Sequence, residues 1–178
     1  ALTGRANEIW VTLEKDGCAQ VKDNGAGIPV EPHPRYKIPA LELAMTKLHA
    51  GAKFDDKTYK ISGGLHGVGA SVVNALSSWF KVEVHRNGKA YAQEYKRGKP
   101  ITSVRQIGKA NNTGTITTFL PDKQVFKDIT FNYKTIEELI RERAYLIPQL
   151  KFNLYDEREN RLANFYFEGG IVSLVTYF

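Results

Sequence analysis

The stretch from Ile61 to Asn74, ISGGLHGVGASVVN, constrains the fold more than any other part of the chain. It places four glycines within seven residues, and apolar residues with helical spacing follow at Val68, Val72, Val73 and Leu76. Because glycine has no Cβ, it permits positive φ and lets several backbone N–H groups converge. A helix that begins there exposes unpaired N–H groups and its positive dipole end. The stretch therefore predicts a phosphate-binding loop, the alternative being a tight loop that only turns the chain.

The spacing of these glycines does not match the two best-known phosphate-binding templates. A Walker loop has Lys-Ser or Lys-Thr after its last glycine, and no such pair follows here. A Rossmann fingerprint reads G-x-G-x-x-G after a strand, whereas Gly64, Gly67 and Gly69 read G-x-x-G-x-G after a polar segment. We therefore expect a phosphate cradle of another type.

Composition places the chain among globular domains. With 178 residues, 42% hydrophobic and 25% charged, it has the length and the apolar content for one ordinary core. The single cysteine, Cys18, excludes an internal disulfide and fits a cytoplasmic location. The net charge of +6 fits either an anionic partner or a solvated basic surface.

Alternating apolar residues predict a sheet of short strands. We expect them near residues 9–13, 18–22, 80–84, 89–97, 103–107, 114–120, 150–156 and 161–167. Asp16-Gly17 and Asn87-Gly88 are hairpin signals. Helical spacing predicts helices over 39–50, after the glycine loop, over 135–146 and from Gly170 onward. Hairpin-linked strands with helices in blocks indicate an α+β fold: a mixed, mostly antiparallel sheet with helices on one face.

Several residues could carry chemistry on their own pattern. Asp23 follows a strand, so its carboxylate could accept a hydrogen bond from an exocyclic amine while Gly27 leaves room for a flat ring; an Asx turn is the alternative. Thr115 opens a strand and could bind a ligand or satisfy the sheet edge. Arg86 lies beside the Asn87-Gly88 turn, where it could be only a hairpin charge.

The segment from Gly51 to Gly63 lacks periodicity and is charged, which is typical of a functional lid or of disorder. Lys53 and Lys60 within it could reach phosphates or be solvated. His66, inside the glycine loop, is either a loop contact or a base.

The combination of DNG-x-G at 23–27, GGLHGVG at 63–69 and TGT at 113–115 is more specific than its parts, and it resembles the ATPase domain of the DNA gyrase B and topoisomerase IV B family. Further segments that resemble this family are LHAGAKF at 48–54, YKISGGLHGVG at 59–69, SVVNALS at 71–77 and FEGGI at 167–171. The resemblance covers nearly the whole chain and implies the GHKL (Bergerat) two-layer sandwich as a single domain over residues 1–178. It also implies ATP and Mg²⁺ as cofactors.

The resemblance also implies residue roles. Asp23 would hold the adenine amino group, with Thr115 assisting through water. Arg86 matches an arginine that meets coumarin-type inhibitors at the pocket mouth. The adenine would be walled by Gly27, Ile28 and Pro29, and the phosphates would be enclosed by Lys53, Tyr59, Gly64, Leu65, His66, Gly67, Val68 and Gly69.

By the same resemblance, the chain would belong to a bacterial type IIA topoisomerase, with gyrase favoured over topoisomerase IV. Its implied partners are ATP, DNA, a gyrase A-type subunit and a second copy of the domain, with no membrane. The alternatives are a GHKL ATPase such as MutL and a non-catalytic nucleic-acid-binding module.

The chain departs from the family pattern in two places. Ala26 stands where many members carry an arginine. The family's general base and its metal-binding Asn would precede Ala1, together with a dimerisation arm. We therefore expect no catalytic residue and no metal ligand within residues 1–178, and no turnover by this stretch alone.

Overall fold

The structure, a computed structural model, describes residues 6–48 and 68–177. The lid predicted at Gly51–Gly63 lies outside the described residues, as do residues 1–5 and the glycines before Val68.

The described strands form one mixed sheet. They are β1 (Glu8–Leu13), β2 (Ala19–Asp23), β3 (Ser77–Arg86), β4 (Lys89–Lys96), β5 (Lys99–Pro100), β6 (Arg105–Lys109), β7 (Gly114–Pro121), β8 (Lys151–Asp156) and β9 (Arg161–Phe165). Their order is β5-β4-β3-β7-β2-β1-β8-β9, and β6 pairs with β4 as well. Among the described pairs, β1 with β8 is parallel and the others are antiparallel.

Two tight turns set the register of the hairpins. Asn87 and Gly88 join β3 to β4 with φ of 54° and 76°, the double positive φ of a type I′ turn. Gly17, with φ of 89°, turns β1 into β2, and its N–H donates to the Glu14 carbonyl at 3.1 Å. Both turns were predicted from sequence, because Asn and Gly tolerate the left-handed region.

The helices α1 (Ala40–Thr46), α2 (Gly69–Ala75) and α3 (Tyr133–Leu146) cover one face of the sheet, and α4 (Ile171–Tyr177) follows β9. Two buried clusters hold them there. Ile140 and Ala144 of α3 pack with Leu13, Leu154 and Phe165. Leu41 and Met45 of α1 pack with Phe80, Val82 and Tyr95. Each fully buried large apolar side chain contributes about 1.5–3 kcal/mol.

A network of buried hydrogen bonds around Gln93 holds α1 against β4. The Gln93 side chain is fully buried, and its Nε2 donates to Glu42 Oε2 at 2.6 Å and to the Thr102 carbonyl at 3.1 Å. Its Oε1 accepts from the Tyr95 hydroxyl at 2.6 Å. Because every polar atom of the amide has a partner, these hydrogen bonds offset the cost of burying it.

The α+β prediction is confirmed, and several boundaries differ from expectation. The helix predicted from Thr135 begins at Tyr133, because the Asn132 Oδ1 caps it by accepting from the Thr135 N–H at 3.0 Å. The strand predicted at 103–107 lies at Arg105–Lys109, where all residues are exposed and apolar alternation is a weak guide. The first helix ends at Thr46, where Lys47 turns extended. None of the helices in the described ranges is long and apolar enough to cross a membrane.

Candidate functional site

Asp23 ends β2 in the middle of the sheet. Its backbone pairs with Ile9 of β1 on one side and lies against Gly114 of β7 on the other. The side chain forms the predicted Asx turn, because Oδ1 accepts from the Gly25 N–H at 2.7 Å. No described residue donates to Oδ2. The turn therefore occupies one carboxylate oxygen and leaves the second for a ligand.

Thr115 lies on the same face of the sheet as Asp23. The register pairs Lys22 with Ile116, so Asp23 and Thr115 occupy neighbouring positions on adjacent strands. Side chains alternate along a strand, which puts both on the face that carries the buried Val84. Thr115 is 9% exposed, and its hydroxyl has no partner among the described residues. A carboxylate oxygen and a hydroxyl thus face the helix side together without partners in the described part of the chain.

Gly27 allows the loop after β2 to lie directly against the ends of β3 and β7. It has φ of 73°, and a Cβ there would stand 2.6 Å from the His85 carbonyl oxygen and 3.3 Å from that of Gly114. No side chain fits in this contact. Ile28 and Val30 then pack against the cluster under α1, and Pro29 between them is half-buried. The loop therefore forms a close apolar wall beside Asp23 and Thr115.

Arg86 holds this loop from the end of β3. Its Nη1 donates to the Gly27 carbonyl at 3.0 Å and to the Ala26 carbonyl at 3.3 Å. Its Nε is buried without a hydrogen-bond partner among the described residues. The side chain therefore does more than place a positive charge beside the Asn87-Gly88 turn, because it binds the loop that contains Ala26 and Gly27.

Asn24 is a structural residue that sequence reasoning missed. Its Oδ1 accepts from the N–H groups of Asn7 and Glu8, both at 3.1 Å, and its Nδ2 donates to Asn7 Oδ1 at 2.6 Å. These bonds tie the loop to the start of β1. Because Oδ1 already accepts two hydrogen bonds, it is not available to a metal ion. The Asp-Asn-Gly run was the only sequence signal for it, and that run indicates a turn without naming the partner.

The helix after the glycine stretch is α2, which begins at Gly69 after Val68. Among the described residues no side chain caps it and none lies within 4 Å of the position of a Cβ at Gly69, and both Gly69 and Ala70 are exposed. Asn74 at the buried side of α2 donates from Nδ2 to the Met45 carbonyl at 2.9 Å, which joins α2 to α1.

The structure brings together part of the predicted site. Asp23, Gly27 and Thr115 lie around the ends of β2, β3 and β7, with Ile28, Pro29 and Arg86 on the adjoining loop and strand. Val68 and Gly69 begin the separate helix α2. The remaining predicted residues lie outside the described ranges: Lys53, Tyr59, Gly64, Leu65, His66 and Gly67.

Two other features lie away from this site. Glu14, Asp16 and Cys18 at the opposite end of the β1–β2 hairpin bring their ligand atoms within 4.8 Å of one another. An apolar cavity of about 250 Å³ lies towards the Pro121 end of β7, the end opposite Thr115. Asp128 on its wall has one oxygen accepting from the Thr130 N–H at 2.8 Å. Neither feature adjoins the free oxygens of Asp23 and Thr115.

Comparison with known proteins finds relatives that match nearly the whole chain. Residues 1–124 match the family described as histidine kinase-, DNA gyrase B-, and HSP90-like ATPase. The chain is 51% identical over 177 residues to the DNA gyrase B protein of Thermotoga maritima, covering 99% of this chain and 28% of that protein. It is 47% identical over 177 residues to the DNA topoisomerase 4 B protein of Bacillus subtilis, covering 99% and 27%. The chain thus spans just over a quarter of the length of these relatives.

A solved structure gives the same result in three dimensions. The 43K ATPase domain of Thermus thermophilus gyrase B, crystallised with an aminocoumarin, superposes with a TM-score of 0.86 at 38% identity. The match covers 99% of this chain and 44% of that one. The family match over most of the chain and the structural match over nearly all of it agree, and the chain belongs to the histidine kinase-, DNA gyrase B- and HSP90-like ATPase family.

Proposed function

We propose that this chain is the ATP-binding part of a type IIA DNA topoisomerase, with gyrase B favoured over topoisomerase IV B. The support is the 51% and 50% identity to gyrase B proteins of Thermotoga maritima and Archaeoglobus fulgidus, against 47% to a topoisomerase IV protein. In the whole protein, ATP binding and hydrolysis would drive passage of one DNA duplex through another. DNA, a gyrase A-type subunit and a second copy of this domain are the partners we propose, in the cytoplasm.

One observation carries the proposal: Asp23 Oδ2 and the Thr115 hydroxyl face the same side of the sheet without partners among the described residues. An ionised carboxylate only accepts hydrogen bonds, so it suits the 6-amino group of adenine and opposes the 6-oxo group of guanine. Thr115 can donate or accept, directly or through water. The Gly27–Pro29 wall beside them suits a flat apolar ring. The residues present therefore fit an adenine nucleotide.

The phosphates would lie towards the N-terminus of α2. We propose that Lys53, Tyr59 and the residues from Gly64 to Gly69 enclose them, in keeping with the glycine spacing of the sequence. A triphosphate binds Mg²⁺ through its own oxygens, and Mg²⁺ usually keeps several waters. Asn24, the amide nearest to Asp23 in sequence, is engaged by Asn7 and Glu8 and would not coordinate the ion. Arg86 at the loop is the proposed contact for coumarin-type inhibitors.

The test is Asp23→Asn, measured as the dissociation constants of ATP and GTP by titration calorimetry. The change replaces an acceptor-only group by one with a misplaced donor. We expect ATP affinity to fall by about 1.5–3 kcal/mol, the size of a hydrogen bond to a charged group. The matched control is Asp128→Asn, because Asp128 makes the same turn bond, to the Thr130 N–H, beside a different cavity. The control should leave ATP affinity unchanged.

Two results would overturn the proposal. One is unchanged ATP affinity in the Asp23→Asn protein. The other is wild-type protein that binds GTP as tightly as ATP, because a carboxylate acceptor cannot be the recognition element for a guanine 6-oxo group.

A further inference from the structure

We infer that Arg86 is a positioning residue for the adenine site: from the end of β3 it holds the Ala26 and Gly27 carbonyls, and so fixes the loop that walls the base. The inference rests on the proposed function of that site. It gives Arg86 a role that does not depend on a bound inhibitor.

The hydrogen bonds of the loop show how much depends on this side chain. Asp23 bonds within the loop to the Gly25 N–H, and Asn24 bonds to Asn7 and Glu8 at the start of the loop. The Val30 N–H bonds locally, to the neighbouring Glu31 side chain at 3.1 Å. Between Ala26 and Pro29, the two bonds from Arg86 are the hydrogen bonds to the rest of the described protein.

The remaining contacts of the loop do not replace these bonds. Gly27 approaches the His85 carbonyl closely, but a Cα–H···O contact is weaker than a hydrogen bond from a charged donor. Ile28 packs against the apolar cluster under α1, which fixes depth more than orientation. A charged donor shared by two successive carbonyls fixes the orientation of both peptide groups. The guanidinium therefore sets where the Gly27–Ile28 peptide stands relative to Asp23.

The surroundings of the Arg86 Nε allow a role in positioning to be tested separately from a role in folding. It is buried without a partner in the described part of the chain, so the folded protein bears a desolvation cost there that an apolar side chain would not. A methionine keeps the aliphatic stem and removes both the carbonyl bonds and the unpaired donor. We therefore expect Arg86→Met to retain the folded structure while it releases the loop.

The experiment compares Arg86→Met and Arg86→Lys with wild type in calorimetric titrations of ATP and GTP, with the unfolding temperature measured for each protein. We expect the methionine variant to bind ATP about tenfold more weakly, with its unfolding temperature close to that of wild type and its ATP-over-GTP preference reduced. Lysine, with one nitrogen in place of a planar fork, should lose less affinity. The matched control is Arg105→Met, an exposed arginine on β6 that is 3.8 Å from Glu94 and should have no effect.

A second measurement is the cycle formed by Arg86→Met, Asp23→Asn and the double variant. If Arg86 acts by positioning the wall beside the Asp23 contact, the two losses in ATP affinity will be less than additive. Strict additivity would overturn the inference. So would an Arg86→Met protein that binds ATP as wild type does, or one that loses ATP and GTP equally, which indicates direct phosphate contact. Wild-type protein that does not bind ATP would refute the proposed function instead, and so the two failures are distinct.

Discussion

A Cβ atom on Gly114 would stand 2.1 Å from the main-chain oxygen of Asp23. No side chain can occupy that contact, and Gly114 also has φ of 148°, a region that L residues rarely adopt. The close approach places the start of β7 directly beside the end of β2. It thereby brings Thr115, the next residue of β7, alongside the Asp23 carboxylate.

The first prediction is that Gly114→Ala separates β2 from β7 at this point. The added methyl group must displace main-chain atoms, which are harder to move than the end of a flexible side chain. We expect the free energy of unfolding to fall by about 2 kcal/mol or more, in the range of overpacked positions. ATP affinity should fall with it, because Asp23 and Thr115 move apart. Urea unfolding and ATP titration measure the two effects.

The control for this change is Gly108→Ala on the exposed strand β6. A Cβ there meets no atom of the described residues within 4 Å, and the residue has no positive φ. An equal unfolding midpoint for the Gly114 and Gly108 variants would contradict the geometric argument.

The second prediction concerns Asn74, which is fully buried between α2 and α1. Its Nδ2 donates to the Met45 carbonyl, and its Oδ1 has no partner among the described residues. Asn74→Ala should cost about 1–3 kcal/mol, because the Met45 carbonyl loses its donor in a buried setting. Thermal unfolding would detect this loss, with Val72→Ala as the control on the same helix at a position that is 41% exposed. A smaller loss at Asn74 than at Val72 would contradict the assigned contact.

The third prediction is a loss of stability in acid through Asp156. Its side chain is fully buried, and Arg158 binds both carboxylate oxygens, at 2.8 and 2.7 Å. The Arg158 bonds keep the pKa of Asp156 below its ordinary value of 3.8, against the opposing effect of burial. A lowered folded pKa contributes stability that is present above the unfolded pKa and lost as pH falls through the folded one. The contribution should therefore hold at neutral pH and disappear below about pH 4.

Arg158→Met tests this linkage by removing the partner while keeping the stem. At pH 7 we expect a loss of about 2 kcal/mol, the value of a charged hydrogen bond. Urea unfolding from about pH 7 to about pH 2.5 should show the difference between wild type and variant shrinking as Asp156 is protonated. The control is Arg105→Met, whose ion pair is exposed and should contribute little at any pH. A difference that stays constant over the whole range would rule out the linkage.

The parts of the fold that depend on residues adjacent in the sequence were predictable. The strands β3 and β7 follow from alternation, and the Asn87-Gly88 turn follows from the few residues that accept positive φ. The parts that failed depend on context. The β6 boundary is one, because the strand is held by pairing with β4 and not by an apolar face. The start of α3 is another, because the cap at Asn132 is a polar contact with the Thr135 N–H and the apolar spacing that predicts the helix does not include it.

In the candidate site, too, the features with a local sequence pattern were predictable and the long-range contacts were not. Asp23 and Gly27 were identifiable because a strand end followed by glycines is a local pattern. The contacts of Arg86 with Ala26 and Gly27 cross 60 and 59 residues of sequence and have no local signal. The same holds for the bond between Asn74 and Met45 across 29 residues. Long-range hydrogen bonds of this kind depend on which strands and helices become neighbours, and the sequence pattern does not specify that.

The last prediction concerns Cys18, the single cysteine of the chain. It is 6% exposed, and burial raises the pKa of its thiol to about 12, helped by its hydrogen bond to the Asp16 carboxylate and by the charge of Glu14. Only the thiolate attacks disulfide reagents, and a free cysteine has a pKa of about 8.5. At about pH 8 the folded protein should therefore react with Ellman's reagent at least about a thousandfold more slowly than the same protein in urea. Asp16→Asn removes one charge and one acceptor beside the thiol, so it should speed the reaction of the folded protein, whereas Asp128→Asn, beside the separate cavity, should not. Equal labelling rates in buffer and in urea would mean that the β1–β2 hairpin does not bury Cys18.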